Sequence, residues 1–355
     1  MGKCTLLLWS FLQRFLILLG TLVIGISLPF LPLGLVILFI LRKSVELVSK
    51  IFRPDLAEVF GDAGVVCALE NVYVRPKLNI VFHCVLNRPV QLDQLRKHFE
   101  QRVINYQDES KGGYKYARLR QTWTQFLGFF FWKWDDFFNI NHHVRIYDYT
   151  EPSLMLPEVC VENDLRRVTS ALVTKPYRKG RSPWEILLVP KYCHNETVES
   201  SVLVLRIHHA VADGFSVLKL LFRLADNDDI QLPQAKFPVL TTGQKFLRNL
   251  VVAVRAPYDI AKVAVDAYDG ANCWHIVNEK LSGEYETFFS DPIEVRIIKG
   301  IMKEYKVNYN AAVYSITAGA MTRLMKEVGQ KVPEKFSVVV PSPLPEHPGG
   351  LVNHL

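Results

Sequence analysis

The sequence lacks the short motifs of several common enzyme classes. It contains no GxSxG turn, no P-loop, no GxGxxG turn and no HExxH helix, which excludes the serine hydrolases, nucleotide-binding folds and zinc proteases that depend on those motifs. Its six cysteines form no CxxC pair and follow no zinc spacing. We therefore predict a reduced, cytosol-facing domain with no metal site.

Charge is modest in amount and only mildly unbalanced. The 355 residues carry a net charge of +7, with 22% charged and 49% hydrophobic residues. This excess is too diffuse to predict nucleic acid binding, but it fits a surface near anionic lipid or a phosphorylated substrate. The length exceeds that of a typical single core, so we expect two lobes or one large α/β unit.

One stretch of the sequence has no charged residue at all. It runs from Phe15 to Leu41, 27 residues, which is well past the roughly 20 needed to cross a bilayer. It lacks the short apolar core and cleavage site of a signal peptide, so we predict an anchor that is retained. Pro29, Pro32 and Gly34 interrupt it. Two forms remain open: a kinked, tilted single span, or a shallow hairpin that returns to the same side.

The flanking charges of this segment predict its orientation. Lys3 and Arg14 precede it, whereas Arg42, Lys43, Lys50 and Arg53 follow it. Because cytosolic flanks carry the excess of basic residues, we expect the bulk of the chain on the cytosolic side. The localisation that we predict is a membrane, that of the endoplasmic reticulum, with the main domain facing the cytosol.

Apolar runs of strand length alternate with helical periodicity through the rest of the chain. A strand followed by a helix is predicted at three places: 78–86 with 92–103, 201–207 with 215–225, and 293–298 with 310–327. Residues 337–340 open a further strand, and the chain stops at Leu355 soon afterwards. We therefore predict a mixed α/β fold whose last part is incomplete.

An aromatic stretch lies between the first predicted helix and the second strand. It contains the following residues: Trp123, Phe126, Phe129, Phe130, Phe131, Trp132, Trp134, Phe137 and Phe138. One account is a hydrophobic core with an interfacial belt. The other is a surface that dips into the lipid headgroups and admits a lipid alcohol.

The residues His208-His209-Ala210-Val211-Ala212-Asp213-Gly214 spell HHxxxDG between a predicted strand and a predicted helix. Turns of this kind present polar side chains beside backbone N–H groups. A neutral imidazole there can accept a hydroxyl proton and so act as a general base in acyl transfer to an alcohol. The alternative is a histidine that is satisfied within the core.

This motif resembles the active-site signature of the coenzyme-A-dependent acyltransferases, in particular the wax ester synthase/diacylglycerol acyltransferase family. Residues 139–145 resemble the family segment that ends in His-Val-Arg, residues 182–185 its Pro-Leu-Trp-Glu segment, and residues 310–323 its Asn-Asp helix. The resemblance covers roughly residues 60–355 in the right order. Four segments in order are more specific than the seven-residue motif alone.

The chain also departs from the family pattern. Ala311 stands where the family has the aspartate of its Asn-Asp pair, and Ser182-Pro183 replaces Pro-Leu ahead of Trp184. Val352-Asn353 stands where the family has Gly-Asn. The first change removes any role of that acid, and the second changes the wall of a pocket.

The resemblance implies a two-lobed, chloramphenicol-acetyltransferase-like α/β (α+β) fold with a tunnel between the lobes. It implies His209 as the general base, His208 in support, Gly214 at the turn, and Asp213 as a structural brace with an arginine as candidate partner. Trp184, His143 and Asn310 are secondary candidates for substrate contact, and core packing is the alternative for the first two. Acyl-CoA and a lipid alcohol are the implied substrates, with no further cofactor.

We expect the following organisation along the chain: 1–14 a cap, 15–41 the membrane segment, 42–75 a linker, 76–235 the first lobe, 236–292 the inter-lobe connection, and 293–355 the start of the second lobe. The leading hypothesis is an O-acyltransferase that makes wax ester or triacylglycerol. A condensation enzyme of peptide synthesis shares the motif but works on carrier proteins. The non-enzymatic alternative is a lipid-binding or scaffolding relative, which Ala311 and the early end of the chain suggest.

Overall fold

A computed structural model of the chain describes residues 3–61, 63–108, 112–194, 198–225, 239–267, 282–333, 336, 338, 340–341 and 347–354. The chain divides into two compact units. One unit comprises 1–39, 238–281 and 290–340, and the other comprises 40–237, 282–289 and 341–355. The strand predicted over 337–340 lies outside the described residues except for Val338 and Val340.

Helices and strands alternate as a mixed α/β protein requires. The helices are α1 Lys3–Ser27, α2 Leu31–Phe52, α3 Gly64–Cys67, α4 Leu92–Phe99, α5 Glu162–Leu172, α6 Gly214–Leu224, α7 Thr242–Asp266, α8 Val295–Tyr305 and α9 Tyr309–Glu327. The strands are β1 Leu56–Val59, β2 Asn79–Leu86, β3 Gln121–Phe126, β4 Phe129–Trp134, β5 Val144–Ile146, β6 Trp184–His194 and β7 Val198–His208. The predicted elements over 78–86, 92–103, 201–207, 215–225 and 310–327 are confirmed.

The charge-free segment is helical, with one irregular turn. A 3-10 turn over Leu28–Phe30 joins α1 to α2. Ser27 and Leu31, on either side of it, both have right-handed helical dihedrals (φ −77°, ψ −28° and φ −56°, ψ −45°), so the backbone does not reverse there as a hairpin requires. By length and composition, Leu8–Phe52 is one helix that is apolar enough to cross a membrane. This geometry favours the kinked single helix over the hairpin.

The larger sheet carries the histidine motif at the end of its strand β7. Its strand order is β2-β7-β6-β5, with only the β5–β6 pair parallel. Alternate residues of a strand point to opposite faces. Leu205 and Ile207 of β7 pack in the cluster that includes α4 and α6, whereas Val202 and Val204 pack in the cluster that includes α5. Both faces of the sheet are therefore buried, which explains the continuous apolar run in the sequence.

The aromatic stretch forms most of a smaller sheet with the order β1-β4-β3. Leu127 (φ 47°) and Gly128 (φ 84°) make the turn between β3 and β4, and two left-handed residues are typical of a tight hairpin. Phe60 stacks on the buried Trp132 with ring centroids 4.2 Å apart, whereas Phe137 is 84% exposed. Phe131 and Trp132 are buried, and Trp123, Phe130 and Phe138 pack partly buried against the main hydrophobic cluster. The stretch is thus part core and part surface.

The strand predicted over 293–298 is wrong. Residues 295–305 form the helix α8, in which Ile298 is buried. Val295, Ile298 and Met302 are three and four residues apart, which is helical spacing. The β-branched residues at the start of the segment favour a strand. An apolar run this short fits the two-residue period of a strand as well as the helical period of 3.6 residues.

Two segments predicted as connections contain ordered elements. Residues 42–75 hold the end of α2 together with β1 and α3, and Phe60 and Ala68 are buried in the main hydrophobic cluster. Elements as short as β1 and α3 are too brief to show a period in the sequence. Residues 236–292 contain α7, whose 25 residues make this segment more than a link. The other domain boundaries stay predictions.

Candidate active site

The HHxxxDG motif forms the turn from β7 into α6. β7 ends at His208 and α6 begins at Gly214, with Asp213 as the residue that caps the helix. Its carboxylate accepts a hydrogen bond from the backbone N–H of Ser216 (2.7 Å), which is the usual way that aspartate starts a helix. Gly214 has no left-handed φ, and a Cβ built on it would have no neighbour within 4 Å. Gly214 thus lies at the turn, where no described residue packs closely on it.

The His209 side chain is half-buried and is held by Asn353. Nδ1 of His209 lies 2.8 Å from Oδ1 of Asn353, and the amide nitrogen of Asn353 donates to the carbonyl oxygen of His209 (2.8 Å). Because the amide oxygen can only accept, the proton is on Nδ1 and the lone pair is on Nε2. Among the described residues, none bonds to Nε2. The backbone N–H of His209 donates to Leu78 (2.8 Å), so both ring and backbone are fixed.

His208 is completely buried and bonds to a carboxylate. Its Nδ1 accepts from the N–H of Ala210 (3.2 Å), so Nε2 carries the proton and donates to Glu70 (2.5 Å). Burial lowers the pKa of His208, against the opposing effect of the Glu70 carboxylate. Glu70 also accepts from the backbone N–H groups of Lys77 and Leu78. His208 thus ties the motif to the segment ahead of β2, and its supporting role in catalysis stays a prediction.

Burial of the Glu70 carboxyl is partial and raises its pKa. The hydrogen bond from His208 and the backbone N–H groups of Leu78 and Lys77 lower that pKa more strongly, so the net shift is downward. Glu70 is therefore an ionised acceptor at neutral pH. It holds the same backbone segment whose Leu78 carbonyl fixes His209.

Asp213 braces the motif, but no arginine is its partner among the described residues. One carboxylate oxygen caps α6, and the other accepts from the backbone N–H of His354 (2.9 Å). Its own N–H donates to the carbonyl of Val352 (2.9 Å). In place of the expected arginine, the partners of Asp213 include the backbone of the segment 347–354. This segment therefore positions both Asp213 and His209.

The two other family-like segments meet in adjacent strands. β5 and β6 pair in parallel, which brings His143 against Trp184, with ring centroids 4.5 Å apart at 12°. Nδ1 of His143 donates to the carbonyl of Trp184 (2.8 Å), and the Trp184 indole donates to the carbonyl of Leu119 (2.7 Å). Trp184 also lines a cavity of about 10 Å³, which is the size of a single water molecule. Both side chains pack in the core, the alternative that the sequence had left open.

Burial lowers the pKa of His143 to about 4, and this predicts acid sensitivity of the fold. In the unfolded chain an ordinary histidine titrates near pH 6.5. Between these two values only the unfolded state takes up the proton, so the free energy of unfolding falls as the pH is lowered through this window. At about 1.4 kcal/mol per pH unit, the loss is about 3 kcal/mol over the whole window. Urea unfolding at pH 7 and pH 5 would measure it.

The control for this effect is His143→Phe, which keeps an aromatic ring but has no titratable group. The variant is expected to be less stable at pH 7 because the bond to Trp184 is lost, but its stability should depend less on pH. His208 and His347 also have pKa values lowered by burial, and they leave a residual slope. An unchanged slope in the variant would show that His143 is not the source.

A buried ionic network lies beside the motif, on the strand that leads into it. Arg206 is completely buried and donates to one oxygen of Glu185 (3.0 Å), while Arg145 donates to the other (2.9 Å). The hydroxyl of Tyr149 donates to the same carboxylate (2.8 Å). The Arg206 guanidinium also lies 3.9 Å from the centre of the Tyr177 ring. The Arg of the His-Val-Arg segment and the Glu of the Trp-Glu segment are thus partners.

The charges of this network hold one another in the ionised state. Burial raises the pKa of Glu185, but Arg206 and Arg145 lower it more, so the net shift is downward. The pKa of Arg206 is raised, because Tyr177 and Glu185 outweigh its burial. The carboxylate of Glu185 therefore links β5, β6 and β7 just ahead of the motif.

Asn310 is exposed in the first turn of α9. The cap of that helix is Asn308, whose side chain accepts from the N–H of Ala311 (2.8 Å). A role of Asn310 in substrate contact stays a prediction. Ala311 supplies only a backbone N–H.

Fold and site together define a mixed α/β protein with an oriented histidine at a strand-to-helix turn. The catalytic-domain model of the wax ester synthase/diacylglycerol acyltransferase family matches residues 86–271, just over half of the 355 residues. The chain belongs to this family. The matched range contains the histidine motif and the strands β5 to β7.

The curated relatives are similar to this chain at low identity. Two proteins of Mycobacterium tuberculosis, named as candidate diacylglycerol O-acyltransferases, are each 23% identical over 221 residues, which are 56% of this chain and 41% of the relative. The chain thus spans about two fifths of the length of these relatives.

Solved structures resemble the chain only in part. The wax ester synthase/diacylglycerol acyltransferase of Marinobacter aquaeolei VT8 aligns with a TM-score of 0.46 and 17% identity, over 79% of this chain and 62% of that protein. The first condensation domain of the calcium-dependent antibiotic synthetase aligns with a TM-score of 0.40 and 12% identity, over 77% and 61% respectively. Scores of this size do not define the fold, which rests here on the described elements.

Proposed function

We propose that the protein is an O-acyltransferase in which His209 is the general base. The observation that supports this proposal is the tautomer that Asn353 imposes on His209. A general base needs an unprotonated nitrogen in a fixed direction, and Nε2 has its lone pair available among the described residues. A histidine that only packs in the core does not need a partner that fixes its tautomer and leaves Nε2 without a hydrogen bond.

In the proposed reaction the hydroxyl of a lipid alcohol donates its proton to Nε2 of His209 as its oxygen attacks the thioester carbon of an acyl-CoA. The carbon–sulfur bond of the tetrahedral intermediate then breaks, and the imidazolium returns the proton to the departing thiolate. The products are an ester and free coenzyme A, and His209 is regenerated. Asn353 supports both steps, because its amide oxygen accepts the hydrogen bond from Nδ1–H of His209 in both the neutral and the protonated ring.

We infer the acceptor class from the family and from the apolar helix. The acceptor is a fatty alcohol, a diacylglycerol or both, and acyl-CoA is a co-substrate rather than a resident cofactor. Leu8–Phe52 would anchor the chain in the endoplasmic reticulum, since lipid alcohols dissolve in the bilayer. The basic flank after the helix places the remaining chain in the cytosol in this proposal, where acyl-CoA is soluble.

Expression in cells that lack neutral-lipid synthesis tests this function directly. We expect new triacylglycerol or wax ester when the protein is present, and the product that forms identifies the acceptor. The control is the same chain with His209→Ala, expressed to the same level. A protein that binds acyl-CoA but makes no ester in either form would instead support the lipid-binding alternative.

A further inference from the structure

The carboxylate of Glu70 contacts the histidine motif from outside the range that the family's catalytic model matches. That model begins at residue 86, and residues 42–75 were predicted to be a linker. The hydrogen bond from His208 to Glu70 spans 138 positions of the chain. A residue of the predicted linker is therefore a direct partner of the motif.

Donors from two parts of the chain converge on this carboxylate. Oε1 of Glu70 accepts from Nε2 of His208 (2.5 Å) and from the backbone N–H of Leu78 (2.9 Å). The backbone N–H of Lys77 lies within hydrogen-bond distance of both oxygens, at 3.1 Å from Oε1 and 3.0 Å from Oε2. The Glu70 side chain is 18% exposed, and that of His208 is fully buried. One oxygen thus joins a motif side chain to the backbone ahead of β2.

Leu78 extends this connection to His209. The N–H of Leu78 is held by Glu70, and the carbonyl oxygen of the same residue accepts from the backbone N–H of His209 (2.8 Å). His208, the other donor to Oε1, is the covalent neighbour of His209. A displacement of the Glu70 carboxylate would therefore reach His209 from two directions, through Leu78 and through His208.

The bond between Leu78 and His209 lies at the end of the β2–β7 ladder. The last pair of that ladder is Asn79 with His208, so this bond is one residue beyond it. The end of a ladder opens more easily than its middle, because it has neighbouring bonds on one side only. Glu70 binds Lys77 and Leu78, the two residues directly before β2, and so holds this end in place.

The segment that carries Glu70 is itself fixed on both sides. Ala68 is buried in the main hydrophobic cluster, and its carbonyl oxygen accepts from the indole N–H of Trp123 (3.3 Å). Val72 is also buried, and its carbonyl oxygen accepts from the backbone N–H of Tyr177 (3.0 Å). Glu70 is therefore a carboxylate on a held backbone, which is what a side chain needs in order to position others.

We propose that Glu70 is a positioning residue for the acyl transfer. By holding Leu78 and His208, it keeps the backbone of His209 where the imidazole can take the proton of the incoming alcohol. The proposal rests on the proposed function, in which His209 is the general base. Asn353 orients the ring, whereas Glu70 fixes the backbone from which the ring extends. A misplacement of about 1 Å can lower a rate by about 10²-fold.

Two substitutions of Glu70 test this role in the full chain. Glu70→Ala removes the acceptor for His208 and Leu78, whereas Glu70→Gln keeps one oxygen that can accept from both. We expect kcat to fall by about 10²-fold in the alanine variant and to recover most of that loss in the glutamine variant. The KM for acyl-CoA should change little, because Glu70 is not proposed to touch the substrate. Esterification of labelled acyl-CoA by microsomes with equal amounts of each protein measures both constants.

Controls separate positioning from a general loss of structure. Glu58→Ala is the matched control, because Glu58 is an exposed carboxylate of β1 in the same part of the chain, and it should keep the wild-type kcat. Acetate added to Glu70→Ala should restore part of kcat, since a small carboxylate fits the space that the side chain leaves, whereas a misfolded protein would not respond. If the alanine variant does not accumulate, Glu70→Asp replaces it. Its carboxylate is one methylene shorter, so kcat should again fall with KM unchanged.

The outcomes distinguish this proposal from the proposed function. Wild-type kcat in the Glu70 variants, together with a loss in His209→Ala, would overturn the positioning role and leave the general base intact. Wild-type activity in His209→Ala would overturn the proposed function and the positioning role with it. Equal losses in Glu70→Ala and Glu70→Gln would overturn positioning through hydrogen bonds, because the charge alone would then matter. A raised KM with unchanged kcat would also overturn it, since it would indicate substrate binding.

Discussion

Replacing His209 with alanine is expected to lower the rate of acyl transfer by about 10²–10⁴-fold, which is the usual contribution of a general base. The ring is half-buried at a turn that is held from both sides, so the variant is expected to fold. The measurement is esterification of labelled acyl-CoA by microsomes that carry equal amounts of each protein. His142→Ala is the control, because His142 lies outside the motif. Equal rates for the wild type and His209→Ala would show that the base is another residue.

Two substitutions of Asn353 separate the orientation of this ring from proton transfer itself. Asn353→Ala keeps the imidazole but removes the acceptor for Nδ1–H, so kcat should fall less than in His209→Ala. Asn353→Asp supplies a carboxylate that favours the protonated imidazole, which should move the rising limb of the pH–rate profile to higher pH. A purely structural asparagine would change the amount of folded protein and leave the profile in place.

Glu185→Gln is expected to lower the free energy of unfolding by about 3–5 kcal/mol. Removing the charge leaves Arg206 buried without its counter-ion, whereas Arg145 keeps its ion pair with Asp148 (2.9 Å), and breaking a buried pair typically has this cost. The loss is large compared with the roughly 5–15 kcal/mol by which domains are stable. Denaturant unfolding in detergent, followed by tryptophan fluorescence, would measure it.

The matched control for this variant is Glu158→Gln. Glu158 makes an ion pair with Lys191 at 2.8 Å, close to the distances within the Glu185 network, but its side chain is 83% exposed. Because water screens such a pair, little or no loss of stability is expected. Similar losses for the two variants would mean that the buried network contributes no more than a surface pair.

The parts of the site that could be predicted are those that follow from local sequence. His209 stands out because the HHxxxDG motif lies where strand periodicity gives way to helix periodicity. The capping role of Asp213 follows from its place before α6. The pairing of His143 with Trp184 was not predicted, although both residues had been singled out. Parallel strands bring them together, and register between distant strands leaves no trace in a single sequence.

Glu70 and Asn353 could not be assigned their roles, for a related reason. They lie 138 and 144 positions from their histidine partners, and no spacing rule connects residues so far apart. Val352-Asn353 was noticed as a departure from a family pattern, but nothing in the sequence indicated which group the amide would bind. The error over 293–298 has another cause, since its first residues suit a strand as well as a helix.

The attachment of the segment 347–354 to the motif turn has a consequence for biosynthesis. The β2–β7 ladder pairs within the first 208 residues and can form while the remainder is still being translated. The imidazole, by contrast, acquires its orienting amide only after more than a hundred further residues have been made. The sheet can therefore form before the His209 ring acquires the hydrogen bond that orients it.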